Sequence, residues 1–345
     1  MQTRPELTER QLRVLDAVVQ SYIETAEPAG SQMIARRYGI GVSPATVRNI
    51  MSELEEMGFL FHRHTSSGRI PTDRAYRTYV DRVMHSSAPS NDERLALKAE
   101  LHGRISALEE VLRRAAQVLG VLTQELGVAV APVLDSVVLE RVELVPVASD
   151  RMLLVLNLRS GVVRTIFVRV PGQMAPESMH RMSQLLNERL AGHTLKEIRA
   201  SLGDRLRDAH AAGGSRELLD IFIAEGEDIF SLPVDAGGVL LGSAQMLADQ
   251  PEFASNVRMR ELLELTERRD LLREALHARR SAGLSITIGG ENHDARFSDL
   301  TLVTSSYSKG GLTGVIGVIG PTRMPYDKII GLVEHTSRLV EGLLE

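Results

Sequence analysis

A short segment of the chain, SPATVRN, combines side chains that can read the edges of DNA base pairs. Arg48 can donate two hydrogen bonds to guanine, and Asn49 can form the same type of paired contact with adenine. The methyl groups of Ala45 and Thr46 can touch the methyl group of thymine. The candidate base-contacting residues are Ser43, Ala45, Thr46, Arg48 and Asn49. The alternative is that Arg48 and Asn49 are solvated residues on the surface of an ordinary helix.

The surrounding sequence predicts helices that would place this segment in the major groove. Thr8 and Gln11 have the spacing of a capping box at the start of a first helix, and a second short helix follows from Ser31. Ser43 is a natural N-cap for a third helix, and Pro44 suits its first position because its missing amide needs no partner there. Two helices joined by a short turn, of which the second presents its first residues, form a helix-turn-helix.

The stretch FLFHRHTSSGRIPT (59–72) predicts a strand, a turn rich in serine and glycine, and a second strand. Thr72 can then cap a fourth helix. The resulting order of helix, helix, turn, helix, β-hairpin and helix is that of a winged helix-turn-helix over residues 1–85. This order favours the DNA-contacting interpretation of Arg48 and Asn49 over the surface alternative.

Basic residues outside SPATVRN can contact the phosphate backbone. The predicted phosphate contacts are Arg36, Arg37, Arg63, His64 and Arg69. Arg69, beside the turn of the hairpin, can also enter the minor groove. Residues 1–85 hold 11 arginines and 10 acidic residues, so their net charge is only +1. The interpretation therefore requires Glu53, Glu55 and Glu56 to point away from DNA.

A linker is predicted over residues 86–100, and beyond it apolar residues recur in alternating steps of four and three. They are Leu101, Ile105, Leu108, Leu112, Ala115, Leu119, Leu122 and Leu126. This spacing is typical of two helices in contact. It fits equally well a coiled coil between two chains and a helix packed along its own domain.

Strand-like runs on both sides of a mostly helical stretch predict one α/β domain that carries an insertion. The runs are 136–147, 152–159, 162–170, 284–289, 299–308 and 312–320. The first three runs are β-rich and joined by the short turns ASD and SG, as expected of adjacent antiparallel strands. The chain ends in an amphipathic helix, IIGLVEHTSRLVEGLLE.

Composition excludes several classes of protein. The chain has 345 residues, 40 Lys+Arg against 45 Asp+Glu, and no cysteine. It therefore cannot form disulfides, zinc ribbons, iron–sulfur clusters or a thiol nucleophile. No apolar run approaches the roughly 18 residues of a membrane span, and no signal region is present, so we expect a cytoplasmic protein without a membrane partner. Because the net charge is −5, DNA binding would require a local basic patch.

No residue pattern predicts an enzyme, a metal site or a cofactor. His62 and His64 alternate on a predicted strand, without further ligands at metal spacing. Glu291, His293 and Asp294 cluster in a loop, and a metal-binding or catalytic role for them is the less favoured alternative.

Several segments resemble one protein family. They are GVSPATVRNIMSELEEMGFL (41–60), HTSSGRIPTDRAYRTYVDRV (64–83), GVIGPTRMPYDKIIGLVEHTSRLVEGLL (317–344) and, more loosely, GSAQMLADQPEF (242–253). Together they resemble the bacterial heat-inducible transcription repressors, the HrcA family. One departure is Ile50, a bulky apolar residue where a more polar helix surface is expected. It either packs against the first helices or reaches a base methyl group.

The resemblance implies an α+β multidomain protein with a winged helix, a GAF-like domain and an inserted, mostly helical dimerisation domain. The corresponding ranges are 1–85 for the winged helix, 101–172 with 281–345 for the GAF-like domain, and 173–280 for the insertion. It also implies a homodimer that binds an inverted-repeat operator in double-stranded DNA upstream of chaperone operons. The chaperonin (GroEL) would maintain the repressor in its active form.

Two other functions remain open at this point. A winged-helix regulator whose GAF-like domain senses a small metabolite would use the same DNA-contacting residues, but its DNA affinity would respond to a saturable ligand. An enzyme would require a pocket of convergent titratable groups, which the histidines of the sequence do not suggest.

Overall fold

A computed structural model describes most of the chain. The described residues are 7–62, 68–84, 88–101, 108–132, 137–159, 161, 163–172, 174–207, 214–230, 238–280, 283–309 and 312–343. Within them the chain forms three parts, which we call the winged helix, the α/β body and the three-stranded unit. None of the described helices is both long and apolar enough to cross a lipid bilayer.

The winged helix has the predicted order of elements. It comprises α1 (Glu9–Thr25), α2 (Ser31–Arg37), α3 (Pro44–Glu56), β1 (Leu60–Phe61), β2 (Ile70–Pro71) and α4 (Asp73–Val83). Thr8 and Gln11 close a capping box at the start of α1, as predicted. The side chain of Thr72 caps α4. β1 and β2 pair antiparallel to form the base of the wing.

The α/β body (108–132 and 238–343) is built on a sheet of five described strands in the order β7, β3, β10, β9, β8, all antiparallel. The strands are β3 (Leu126–Val130), β7 (Val239–Leu241), β8 (Leu284–Ile288), β9 (Leu300–Lys309) and β10 (Leu312–Pro321). The helices of the body are α6 (Leu108–Thr123), α10 (Gln245–Ala248), α11 (Asn256–Glu267), α12 (Arg269–His277) and α13 (Tyr326–Leu343). α5 (Asn91–Leu101) connects the winged helix to α6.

Helices cover both faces of this sheet because successive side chains of a strand point in opposite directions. Ala129 and Ile316 belong to the hydrophobic cluster under α6 and α13. Their neighbours Val128 and Val315 belong to the cluster under α11 and α12. β3 is therefore buried along its whole length, as expected of a strand covered on both faces.

The three-stranded unit (137–230) has its own core. Its strands are β4 (Leu139–Ala148), β5 (Arg151–Leu158) and β6 (Val163–Arg169), and its helices are α7 (Pro176–Leu190), α8 (Leu195–Arg207) and α9 (Gly214–Phe230). Alternate residues of β5, such as Leu154 and Leu156, are buried in one cluster with residues of the three helices, such as Leu186 and Leu202. The opposite face of this sheet carries no described helix.

The structure divides the chain differently from the sequence prediction. β4, β5 and β6, expected in the body, pack with α7, α8 and α9 instead, whereas α11 and α12, expected in the insertion, cover the sheet of the body. The physical reason is that matched apolar faces, rather than order along the chain, decide which elements share a core. The GAF-like character of the body stays a prediction.

The predicted linker and the predicted heptad helix also differ from the structure. α5 begins at Asn91, within the predicted linker, because Leu97 and Leu101 are buried in the body's core. α6 ends at Thr123, so Leu126, the last residue of the predicted heptad pattern, lies in β3 rather than on a helix. α6 packs on α13 and the sheet, so its apolar stripe serves its own chain. Ile105, within the same pattern, lies outside the described residues.

The winged helix is docked on the body through apolar and polar contacts. One hydrophobic cluster runs from α1 and α4 into the body, and the rings of Tyr76 and Tyr326 lie 6.0 Å apart in it. The guanidinium of Arg77 donates to both carboxylate oxygens of Glu291, at 2.8 and 2.5 Å. Arg323 of the body donates to the carbonyl of Ile23, in the last turn of α1, at 2.8 Å. These contacts hold α1 and α4 against the body.

Candidate nucleic-acid interface

The start of α3 is built by the residues that the sequence singled out. Ser43 is the N-cap, and its hydroxyl accepts from the backbone N–H of Thr46 at 3.2 Å. Pro44 occupies the first helical position. The Ser43 hydroxyl also lies 3.0 Å from the Thr46 hydroxyl. Both side chains therefore help to set where α3 begins, in addition to any contact with bases.

The two faces of α3 have opposite characters. Val47 and Leu54 are fully buried in the core of the winged helix. Ile50 is also buried, at 6% exposure, so it packs against neighbouring helices and does not reach a base methyl group. Arg48 and Asn49 are exposed, and within the described part of the chain neither side chain has a hydrogen-bond or ion-pair partner. A guanidinium and a carboxamide thus point to solvent at the start of a helix, with their donors free.

The basic residues of α2 differ in how they are engaged. Arg36 is exposed in the last turn of the helix. Arg37 forms an ion pair with Glu24 of α1 at 2.5 Å and lies over the ring of Tyr38. Both residues are exposed, so both stay candidates for phosphate contacts.

The wing side of the interface is described only in part. Arg63 and His64, predicted to contact phosphates, lie outside the described residues. Arg69 lies next to β2, and its backbone exchanges two 2.9 Å hydrogen bonds with Ala29. Its side chain forms an ion pair with Glu55 at 2.7 Å and is 20% exposed. Its guanidinium therefore has an acidic partner in the absence of DNA.

Gly68 is required by the close approach of the wing to the first helices. A Cβ atom at this position would lie 2.5 Å from the carbonyl oxygens of Pro28 and Ala29. Such a distance is far below van der Waals contact, so only glycine allows the chain to pass here. The position aligns the wing with the turn that precedes α2.

The three acidic residues at the end of α3 are arranged in different ways. Glu53 accepts a 2.9 Å hydrogen bond from the side chain of Gln11. Glu55 contacts both Arg69 and the imidazole of His62. Glu56 is exposed. Two of the three carboxylates therefore have partners within the protein, which lowers the unfavourable potential they present to DNA.

The loop cluster at Glu291, considered above as a metal or catalytic site, is occupied by structural contacts. Glu291 pairs with Arg77 and accepts from the backbone N–H of Ile288 at 3.0 Å. Burial, the largest single cause, raises the pKa of Glu291. Hydrogen bonds from Arg77 and Ile288 together outweigh it, so the pKa of Glu291 lies below its usual value. Asp294 pairs with Arg296. No group of three potential metal ligands occurs among the described residues.

Comparison with known proteins decides the family. A model described as the winged helix-turn-helix transcription repressor, HrcA DNA-binding domain, matches residues 6–83. A second, the HrcA protein C terminal domain, matches residues 109–330. The chain belongs to the HrcA family. The two matches together span the winged helix and nearly all of the body and three-stranded unit.

Curated HrcA proteins match the chain over nearly their whole length. The heat-inducible transcription repressor HrcA of Chlorobium limicola is 36% identical over 344 residues, which cover 96% of each chain. The protein of the same name from Geobacter sulfurreducens is 35% identical over 347 residues, which cover 99% of each chain. The resemblance predicted from the sequence is thereby confirmed.

A solved structure shares the fold of this HrcA chain. It is a crystal structure of a hypothetical protein at 2.2 Å resolution, with a TM-score of 0.70 and 22% identity, covering 98% of this chain and 99% of that chain. The predicted winged helix-turn-helix and α+β multidomain class are confirmed. The roles of the individual DNA-contacting residues stay predictions.

Sequence reasoning missed the partners of the site residues. The contact of Glu55 with Arg69 joins positions 14 residues apart, and that of Gln11 with Glu53 joins positions 42 residues apart. No local pattern marks either pair. The three glutamates between positions 53 and 56 gave a weak signal for such partners, because acidic residues beside a DNA-binding surface require cationic or polar partners.

Proposed function

We propose that this protein is a transcription repressor that binds an inverted-repeat operator upstream of chaperone operons as a homodimer. The single observation that carries the proposal is the start of α3, where Arg48 and Asn49 are exposed and unpaired within the described chain while the opposite face is buried. A helix with this arrangement can enter the major groove with its first residues on the base edges.

In this proposal each part of the winged helix has a defined task. Arg48 reads guanine and Asn49 reads adenine, while Ala45 and Thr46 contact thymine methyl groups. The basic residues contact phosphates and set the register of the protein on the duplex. These residues are Arg36, Arg37, Arg63, His64 and Arg69. Occupation of the operator by the protein then blocks transcription.

The open face of the three-stranded unit supports the homodimer. Leu153 of β5 pairs with Val145 of β4 and with Phe167 of β6, so these three apolar side chains form a row across one face. Phe167 is 66% exposed and Val145 is 41% exposed. A two-fold symmetric dimer buries the same patch of both chains, and such a dimer matches the two halves of an inverted repeat. We assign this face to a second copy of the chain.

The chaperonin GroEL would set the active fraction of the repressor. Membership in a family of heat-inducible repressors supports this step, as does a general property of marginally stable proteins. A partner that raises the folded fraction changes the active concentration strongly when the free energy of unfolding is only a few kcal/mol. Heat would occupy the chaperonin with unfolded clients, so repressor activity would fall and the genes would be expressed.

Fluorescence anisotropy tests the DNA-binding proposal with a labelled duplex that carries the inverted repeat of the host's chaperonin operon. A scrambled duplex of equal length and composition is the control, and both are titrated at two salt concentrations. We expect the repeat to bind at least about a thousandfold more tightly than the scrambled duplex. Equal affinity for both duplexes at both salt concentrations would contradict the proposal.

A second titration separates active fraction from affinity. At a duplex concentration far above Kd, the amount of protein needed for saturation reports the active fraction. Chaperonin with ATP should move this point toward two chains per duplex and leave Kd unchanged. A saturation point that does not respond to chaperonin, after mild heating of the repressor, would contradict the chaperonin step and leave the operator proposal standing.

A further inference from the structure

A large cavity lies between the winged helix and the α/β body. Its volume is about 1010 Å³, at the upper end of the range of small-molecule sites. Tyr22, Phe61 and Tyr76 line it from the winged helix, and Phe253 and Leu262 line it from the body. Phe61 is 41% exposed, although it is a large aromatic residue. Junctions between domains that combine aromatic walls with a few polar groups are preferred sites for ligands.

The charged groups of the cavity favour a cation. Among its lining residues, five are acidic and three are arginines. Each of these arginines already pairs with an acid: Arg258 with Glu261 and Asp299, Arg268 with Asp270, and Arg296 with Asp294. Glu264 is an exposed lining residue, and its carboxylate has no hydrogen-bond or ion-pair partner among the described residues. Glu252 is also paired, with Arg323, so Glu264 is the lining carboxylate toward which a positive ligand group would lie.

A lining residue of the cavity carries an unsatisfied donor. Tyr76 is among the lining residues and is 2% exposed. Its hydroxyl has no hydrogen-bond partner among the described residues. A buried polar group without a partner costs about 1–3 kcal/mol, so an acceptor supplied at this point would be stabilising. The pKa of this hydroxyl is raised, mainly by burial, so it stays protonated and able to donate.

We propose that this cavity binds a small organic cation with an aromatic or otherwise apolar body and a hydrogen-bond acceptor. The apolar body packs between the aromatic side chains of the two walls, where a cation over a ring gains further attraction. The positive group lies toward Glu264. The acceptor lies toward the hydroxyl of Tyr76.

A ligand at this position contacts the wing as well as the body. Phe61 belongs to β1 and Ile70 belongs to β2, and both line the cavity. Any movement of the wing on DNA would change these contacts, so ligand binding and DNA binding would be linked reciprocally. The site thus differs from the DNA-contacting surface on α3, and its occupancy can be measured without DNA.

Three probes of similar ring structure test the chemistry of the ligand. Procaine carries an aromatic ester and an ammonium group, ethyl 4-aminobenzoate lacks the ammonium group, and 4-aminobenzoate is an anion. Isothermal titration of the full-length chain at pH 7 should give saturable binding of procaine, about tenfold tighter than that of the neutral ester. The anion should bind more weakly than either. Equal affinity of all three, or no saturable binding of procaine, would overturn the proposal.

Matched variants locate the binding. Ser298→Trp places a large side chain on an exposed lining residue, whereas His293→Trp places it on an exposed residue of the same loop outside the cavity. We expect procaine binding to be lost in the first variant and kept in the second, with thermal unfolding as a check that both fold. Glu264→Gln should weaken procaine severalfold and Glu267→Gln, at the end of the same helix, should not. Unchanged binding in Ser298→Trp would place the probe elsewhere and overturn the site.

Discussion

The Nε atom of Arg69 lies 2.7 Å from the Oε2 atom of Glu55, and this ion pair joins the wing to the end of the DNA-contacting helix. The imidazole of His62, at the other side of the wing, contacts the same carboxylate. All three side chains are between one fifth and one third exposed. Since Arg69 is a predicted DNA contact, Glu55 and a phosphate would compete for one guanidinium group.

The first prediction concerns this competition. Glu55→Gln should raise DNA affinity by up to about fivefold at low salt, because Arg69 no longer has to leave a carboxylate. The slope of log K against log salt should steepen by about one phosphate contact. Glu56→Gln removes a neighbouring exposed charge without releasing Arg69, and should change affinity less. Anisotropy titrations at several salt concentrations measure both quantities, and loss of affinity in Glu55→Gln would show that the ion pair positions the wing instead.

The second prediction concerns base reading by Arg48. Arg48→Ala should weaken binding to the operator by about 5- to 150-fold for each half-site, since a bidentate contact with guanine contributes about 1–3 kcal/mol. Binding to a scrambled duplex should change much less. Arg260→Ala, which removes another exposed arginine on α11, is the matched control. An equal loss on both duplexes would identify Arg48 as a phosphate contact rather than a base contact.

The third prediction concerns the dimer. Phe167→Glu should raise the dissociation constant of the dimer by about tenfold or more, because it places a charge in the apolar row of the three-stranded unit. Val257 on α11 has the same 66% exposure, so Val257→Glu is a control matched in exposure and charge. Analytical ultracentrifugation over a range of concentrations measures the equilibrium. A dimer that withstands Phe167→Glu but dissociates in Val257→Glu would place the interface on the body.

The fourth prediction concerns pH. Glu125 is 2% exposed and accepts from the side chain of Gln250 at 2.9 Å. Burial raises the pKa of Glu125 well above its usual range, so the folded protein retains a proton that the unfolded chain releases from about pH 4.3 upward. The stabilising effect of that proton is complete below this pH and is lost as pH rises through the folded-state pKa.

Glu125→Gln should therefore raise the free energy of unfolding at pH 8 by more than about 1 kcal/mol and have a smaller effect at pH 5. Urea unfolding at the two pH values measures this difference. Glu100→Gln, at an exposed site on α5, should show no such dependence. The opposite result would be a stabilisation by Glu125→Gln that is smaller at pH 8 than at pH 5. It would mean that the ionised carboxylate is stabilised by Arg323.

The fifth prediction concerns the wing. Gly68→Ala should lower the free energy of unfolding by about 1–3 kcal/mol, because the added methyl group collides with the backbone at Pro28 and Ala29. It should also weaken operator binding by displacing Arg69. Gly30→Ala is the control, since a Cβ atom there meets nothing within 4 Å. Thermal unfolding and anisotropy measure the two effects, and equal stability of both variants would show that the wing shifts without cost.

Local signals in the sequence were enough to establish the architecture of the winged helix and the family. Helix starts at Thr8, Ser43 and Thr72 could be predicted because a cap is a hydrogen bond between residues two or three positions apart. The outward positions of Arg48 and Asn49 follow from the helical period of their apolar neighbours. Such signals are complete within a few residues, so no tertiary contact is needed to interpret them.

Tertiary structure alone decided which apolar faces meet. The period of Leu112, Ala115 and Leu119 specifies a buried stripe but not its partner, which proved to be the body of the same chain. Leu126 continued the helical spacing by coincidence and lies in a strand between two neighbours, β10 and β7. The pairing of Arg69 with Glu55 and the cavity beside Tyr76 likewise depend on residues distant in sequence. The ion pair and the cavity both depend on distances between side chains that are set only when the whole chain is packed, so no local pattern in the sequence can reveal them.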